Sequence, residues 1–184
     1  ANQVLPPLMP GYYKSYTGYE FNPDKAKALL KEAGFANGFE TSIECIAVDP
    51  QPKLCESFQQ DLANVGIKLT INNLAAPNVI DDAGNGKSPL VWSGGLAWTQ
   101  DYPDPDDFYS PILGCDSNVA GGWNWSRYCN KTVHEQSKKL LTITDPNARM
   151  EGYKPLFKTL MDDAVWAPVI NGQYTVAHSE KLHG

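Results

Sequence analysis

The chain has 184 residues, 42% hydrophobic and 20% charged, with a formal net charge of −6. Length and composition suit one well-buried soluble domain and exclude a disordered chain. The acidic balance and scattered lysines exclude a nucleic-acid partner, and no run approaches the ~20 apolar residues of a membrane span.

Ala1 to Pro7 lacks the basic region and apolar core of a signal peptide. Residues 1–21 are rich in Pro, Gly and Tyr without a period, and read as an extended surface segment. Asn22-Pro23 predicts a helix start, with Asn22 as N-cap and Pro23 at the first helical position. Ala26, Leu29, Leu30 and Ala33 form its apolar stripe, and Gly34 ends it. Phe39 to Val48 reads as a strand. Pro52 opens a second helix with Leu54, Phe58, Leu62 and Val65 at helical spacing, stopped by Gly66. Ile67 to Asn72 is a second strand, and this strand–helix–strand unit has the length of a parallel crossover. A short helix over Pro77–Ala83 precedes an apolar strand over 89–97. Val133–Ile143 is a helix capped by Asn130. Asp145-Pro146 opens another, carrying Met150, Tyr153, Leu156, Phe157, Leu160 and Met161. Trp166 to Ala177 reads as a last strand. This order predicts a three-layer α/β domain. The partnerless first segment and the stop just past a strand suit a piece of a larger protein.

The richest chemistry lies in Trp98-Thr99-Gln100-Asp101-Tyr102-Pro103-Asp104-Pro105-Asp106-Asp107-Phe108. Pro103 and Pro105 stiffen it by fixing φ and by holding Tyr102 and Asp104 extended. A stiff acidic loop after an α/β strand offers fixed negative charge beside Trp98 and Tyr102, which suits a cation with an apolar neighbour. The same residues read equally well as a plain turn, with Asp106 capping a short helix. A calcium loop fails because the carboxylates fall at 101, 104, 106 and 107 without the required glycine.

Cys115 and Cys129 flank a Gly/Asn/Trp-rich stretch with no core of its own. A bridge there would restrict the unfolded chain by ~3 kcal/mol in the chain-entropy model. Cys45 and Cys55 either face each other across a strand–helix interface or remain free core thiols. No C-x-x-C occurs and His134, His178 and His183 lie apart, so no metal site is read and the histidines are placed on the surface. Asn124-Trp125-Ser126 and Asn130-Lys131-Thr132 match the glycosylation sequon, which matters only in a eukaryotic secretory pathway. The chemistry requires no cofactor. An oxidising compartment is favoured, with the 115–129 bridge ahead of 45–55.

Trp98-x-x-Asp101-Tyr102-Pro103-Asp104-Pro105-x-x-Phe108 resembles the hallmark segment of family 5 extracellular solute-binding proteins, the peptide, dipeptide and nickel binders of ATP-binding-cassette importers. The likeness extends through Leu5-Pro6-Pro7, the stretch Asn22–Phe35 with Asn37-Gly38-Phe39, Leu62-Ala63-x-x-Gly66-Ile67, and Arg149 with Tyr153, Leu160 and Ala167-Pro168-Val169. It covers nearly the whole chain.

The resemblance implies a type II periplasmic-binding-protein-like α/β/α lobe with a mixed sheet. Residues 1–21 would be an extended segment from the preceding lobe or hinge, and 22–184 the C-terminal lobe of a two-lobe receptor. It implies a monomer, periplasmic or extracellular and membrane-anchored if a lipoprotein, that passes a peptide or other small solute to a membrane permease. Asp101 would pair with a ligand's α-ammonium group, with Trp98 and Tyr102 beside it. Where the family usually has Asp, this chain has His134. Trp123 and Trp125 line the cleft, dock on the other lobe, or pack on their own domain. Asp104, Asp106 and Asp107 would serve the turn. The contrasting class is a hydrolase using Asp101 with Asp104 or Asp106, which needs a desolvated carboxyl acid.

Overall fold

In the computed structural model, which describes residues 1–172, 177–179 and 181, the local signals build the expected elements. Asn22 caps α1 (Pro23–Glu32), its side chain accepting from the Lys25 N–H at 2.9 Å. Gly34 follows at φ +88°, the left-handed conformation that lets the chain leave the helix. β1 (Phe39–Ile46) leads into α2 (Gln51–Ala63), then β2 (Ile67–Leu74) and α3 (Ala76–Gly84). β3 is only Leu90–Val91. Two 3₁₀ turns follow at Pro105–Phe108 and Cys115–Ser117. The last two helices are α4 (Lys131–Leu141) and α5 (Pro146–Asp162), capped by Asn130 and Asp145.

The sheet order is β2-β1-β3, and both pairings are parallel. The β1–α2–β2 crossover therefore forms as its length predicts. No antiparallel member of the expected mixed sheet occurs among the described strands. Leu54, Phe58 and Leu62 of α2 pack on Ile43, Leu69 and Trp92, and the Cys45–Cys55 disulfide lies fully buried in this cluster. These cysteines are thus bridged rather than free.

A second core joins α4, α5 and the segment after the acidic loop. Tyr153, Leu156, Phe157, Leu160 and Met161 present one face of α5 to Phe108, Tyr109, Ile112, Leu113 and Val133. Val4, Leu5 and Met9 complete it, so the first segment is not a surface strap. Gln3 holds that segment in a turn, its side chain accepting from the Tyr13 N–H and donating to the Tyr13 carbonyl.

Three further expectations change. The strand over 89–97 stops at Val91, because Leu96 N–H donates to Ser93 O in a turn and Gly95 takes φ +81°. Gly94 also packs so closely that a Cβ would sit 2.3 Å from Gln51 Oε1 and Trp92 Nε1. The α1 stripe is not buried, and Leu29 is 53% exposed. Trp166–Gly172 form no strand, and Pro168 can donate no ladder bond there. Residues 173–176 of that expected strand, and His183, lie outside the described residues.

Candidate ligand-binding site

The acidic loop is fixed from below by its own carboxylates and by α5. Asp104, not Asp106, caps the 3₁₀ turn: its Oδ1 accepts from the Asp106 N–H at 3.0 Å. Its Oδ2 pairs with Arg149 Nη2 at 2.6 Å, and Arg149 Nη1 donates to Ile143 O at 3.1 Å. Asp106 is buried. Its Oδ1 accepts from Ser110 Oγ at 2.6 Å and Tyr153 Oη at 3.0 Å, and its Oδ2 from Tyr102 Oη at 3.3 Å. Burial and the neighbouring Asp106 charge push the Tyr153 hydroxyl far up and that of Tyr102 up to about 12, so both stay protonated as donors. Arg149 and Tyr153 stand four residues apart on α5, the spacing that puts both on one helix face.

Asp107 is completely buried, and its Oδ2 accepts from the Asp101 N–H at 3.0 Å. Burial raises its carboxyl above the ordinary value. The Asp101 N–H and the Trp98 indole pull it back, and the charges of Asp101 and Asp106 add to the rise.

Three of the four carboxylates are thus engaged, Asp104 and Asp106 by partners that include α5, and Asp107 through Oδ2. Asp101 differs: it is exposed, and among the described residues its carboxylate makes no hydrogen bond or ion pair. Asp104 and Asp106, the second carboxylates a hydrolase would require, are already committed to Arg149 and to three hydroxyls.

The second wall comes from the loop closed by Cys115–Cys129. Buried Asn124 organises it, donating to Gly114 O at 3.0 Å and Tyr128 O at 2.8 Å, while Ser126 donates to Asn124. Asn124 is therefore no exposed glycosylation acceptor. Arg127 bonds the carbonyls of Val119 and Gly84, and the Gly121 N–H also donates to Gly84 O at 2.8 Å. The loop is pinned to the carboxyl end of α3, where a cation meets the negative end of the helix dipole.

Pinned there, the loop brings its tryptophans to the acidic segment. Trp98 meets Trp123 edge-on at 6.2 Å between centroids, and Trp123 stacks on Trp125 at 5.8 Å. Trp123 is 47% exposed, Trp98 and Trp125 are half-buried, and Tyr102 exposes its ring while its hydroxyl is turned to Asp106. Residues far apart in sequence thus form one aromatic row that begins at Trp98, three residues before Asp101.

His134 is not a surface residue. Its side chain is 12% exposed, with Nε2 3.4 Å from Asp116, which also pairs with Lys138 at 3.5 Å. His178 is exposed. The roles of Arg149 and Tyr153 as supports of the loop are not legible in the sequence; only their four-residue spacing hints at a shared face.

The family model for bacterial extracellular solute-binding proteins, family 5 Middle, matches residues 1–119. The chain belongs to the family 5 solute-binding proteins. It is 32% identical over 169 residues to the dipeptide-binding protein of Escherichia coli (strain K12), covering 89% of this chain and 31% of that protein. It is 33% identical over 189 residues to heme-binding protein A of Haemophilus influenzae, covering 100% of this chain and 34% of that protein.

Among solved structures it resembles the periplasmic binding protein DppA of Helicobacter pylori in complex with peptide STSA. The TM-score is 0.84 and the identity 27%, over 90% of this chain and 32% of that one. The dipeptide-binding protein of Pseudoalteromonas sp. SM9913 in complex with Met-Leu gives a TM-score of 0.80 and 30% identity, over 90% and 33%. These likenesses establish the α/β fold of periplasmic binding proteins. The chain spans about a third of the length of these family 5 relatives.

Proposed function

We propose that this chain supplies one wall of the ligand cleft of an importer's solute receptor, and that the ligand is a short peptide held by its amino terminus. The observation that carries this reading is the free carboxylate of Asp101 on a loop whose other three carboxylates are occupied. A fixed, unpaired anion beside exposed indole faces fits an ammonium group followed by an apolar or aromatic side chain. The second lobe of the receptor would close over this wall, exclude water and strengthen the ion pair. Delivery to a membrane permease outside the cytoplasm follows from the same reading.

The ligands in the relatives' names are compatible with more than one chemistry, and the site favours one. Dipeptides carry the cation that Asp101 attracts. Heme carries anionic propionates, which Asp101 repels. Native mass spectrometry of the full-length protein bearing this chain is expected to release peptides with free amino termini. Release of only anionic or amine-free ligands would contradict the reading.

A further inference from the structure

Asp107 is an expensive residue for a turn. It is fully buried, its Oδ1 has no hydrogen-bond partner, and it makes no ion pair among the described residues. An unpaired buried charge is costly unless something uses it. One donor is bonded to this carboxyl, and a second buried donor is left without an acceptor. The Asp101 N–H bonds Oδ2 at 3.0 Å. The Trp98 Nε1–H is likewise buried without a hydrogen-bond partner, a donor left over as Asp107 Oδ1 is an acceptor left over, and the Trp98 indole favours the charged form of Asp107. The two donors belong to the two residues that frame the proposed ammonium site.

We propose that Asp107 is a positioning residue that holds Asp101 and Trp98 in fixed relation, one through each carboxylate oxygen. The proposal rests on the reading of Asp101 as the ammonium partner. Its chemical content is that two N–H donors need two acceptors. Only a carboxylate offers two at this place; an asparagine offers one acceptor and turns its NH₂ toward the second donor. The charged groups facing Asp107 are Asp101 and Asp106, and Asp106 is itself held by Tyr102, Ser110 and Tyr153. Neither neighbour is a cation that would neutralise Asp107, so its polar support is the Asp101 N–H on Oδ2 together with the Trp98 N–H that the proposal assigns to Oδ1. The rigidity they provide lowers the ordering cost of binding.

The test uses the full-length protein with Met-Leu as probe and four forms: parent, Asp107→Asn, Trp98→Phe and the double variant. The Trp98→Phe change keeps an aromatic face but removes the indole donor. Asp107→Asn is expected to weaken Met-Leu binding about tenfold in the parent, the size of one lost hydrogen bond. On the Trp98→Phe background the same change is expected to cost less than about twofold, because the new amide can then turn its carbonyl to the Asp101 N–H without conflict. Equal costs on both backgrounds would overturn the proposal.

A second readout needs no ligand. In nitrogen-15 spectra, with the Trp98 indole signal assigned from its loss in Trp98→Phe, that signal and the Asp101 amide should titrate together. The midpoint should lie above the ordinary aspartate value, and Asp107→Asn should abolish that titration in both signals, leaving at the Asp101 amide only the titration of its own carboxyl. Flat signals in the parent would overturn the positioning role. A parent that titrates as expected but binds Met-Leu no better than N-acetyl-Met-Leu would overturn the ammonium reading instead.

Discussion

Asp101→Asn is expected to weaken Met-Leu binding to the full-length protein by about 2–5 kcal/mol, the usual range for truncating one partner of a desolvated, hydrogen-bonded charge pair. Most of that cost falls on the ligand, whose ammonium group would be left buried without a counter-charge. The size depends on pre-positioning. Pro103 and Pro105 stiffen the loop, Asp104 and Asp106 bolt it to α5 through Arg149 and Tyr153, and Asp107 holds the Asp101 backbone. Little conformational freedom remains for the ligand to remove. Calorimetric titration of the variant beside the parent measures the effect, and the melting temperature should hardly change because the Asp101 carboxylate bonds nothing among the described residues of its own chain. Parent-like affinity in Asp101→Asn would remove the basis for the site.

The second large effect is on folding. Asp106→Ala is expected to destabilise the protein by about 3 kcal/mol: the three hydrogen bonds it receives from hydroxyls are lost at about 1.5–3 kcal/mol each, and relief of the desolvation cost of a buried carboxylate offsets part of that. Tyr153 suffers most from the loss: it is fully buried and its hydroxyl would keep no acceptor. Tyr153→Phe should cost about half as much, since it removes one bond and leaves Asp106 two. Urea unfolding checks both. A loss below about 0.5 kcal/mol for Asp106→Ala would show that the hydroxyl cluster does not hold the loop.

The sequence is most legible where local chemistry decides the outcome. Asn22, Asn130 and Asp145 cap helices as their types predict, and the α5 stripe from Tyr153 to Met161 is buried on one face. The β1–α2–β2 crossover needs only its periodicity and length. Signals that depend on distant partners are harder to read. Val4, Leu5 and Met9 lie in an aperiodic segment, and nothing local says that α5 covers them. The apolar run after Leu90 has the composition of a long strand, but Gly94 and Gly95 break it where Trp92 and Gln51 crowd the backbone.

The candidate site divides along the same line. Asp101, Trp98 and Tyr102 sit together because they are neighbours in sequence. Trp123 and Trp125 reach them only through the disulfide loop and its Arg127 anchor on Gly84, a contact across 43 residues. The four aspartates cannot be ranked by type alone. Their separation into one free carboxylate and three occupied ones depends on Arg149 and Tyr153, which approach from a helix 45 and 47 residues further along the chain.

The ligand's amino terminus is the group on which the reading turns, and a single comparison isolates it. Titration of the full-length parent protein with Met-Leu and with N-acetyl-Met-Leu changes only that terminus, removing its charge. Strong binding of the free peptide and a loss of at least about thirtyfold on acetylation, equivalent to about 2 kcal/mol, is the expected result. Equal affinity for both peptides would contradict it, because the Asp101 carboxylate would then have no cation to meet.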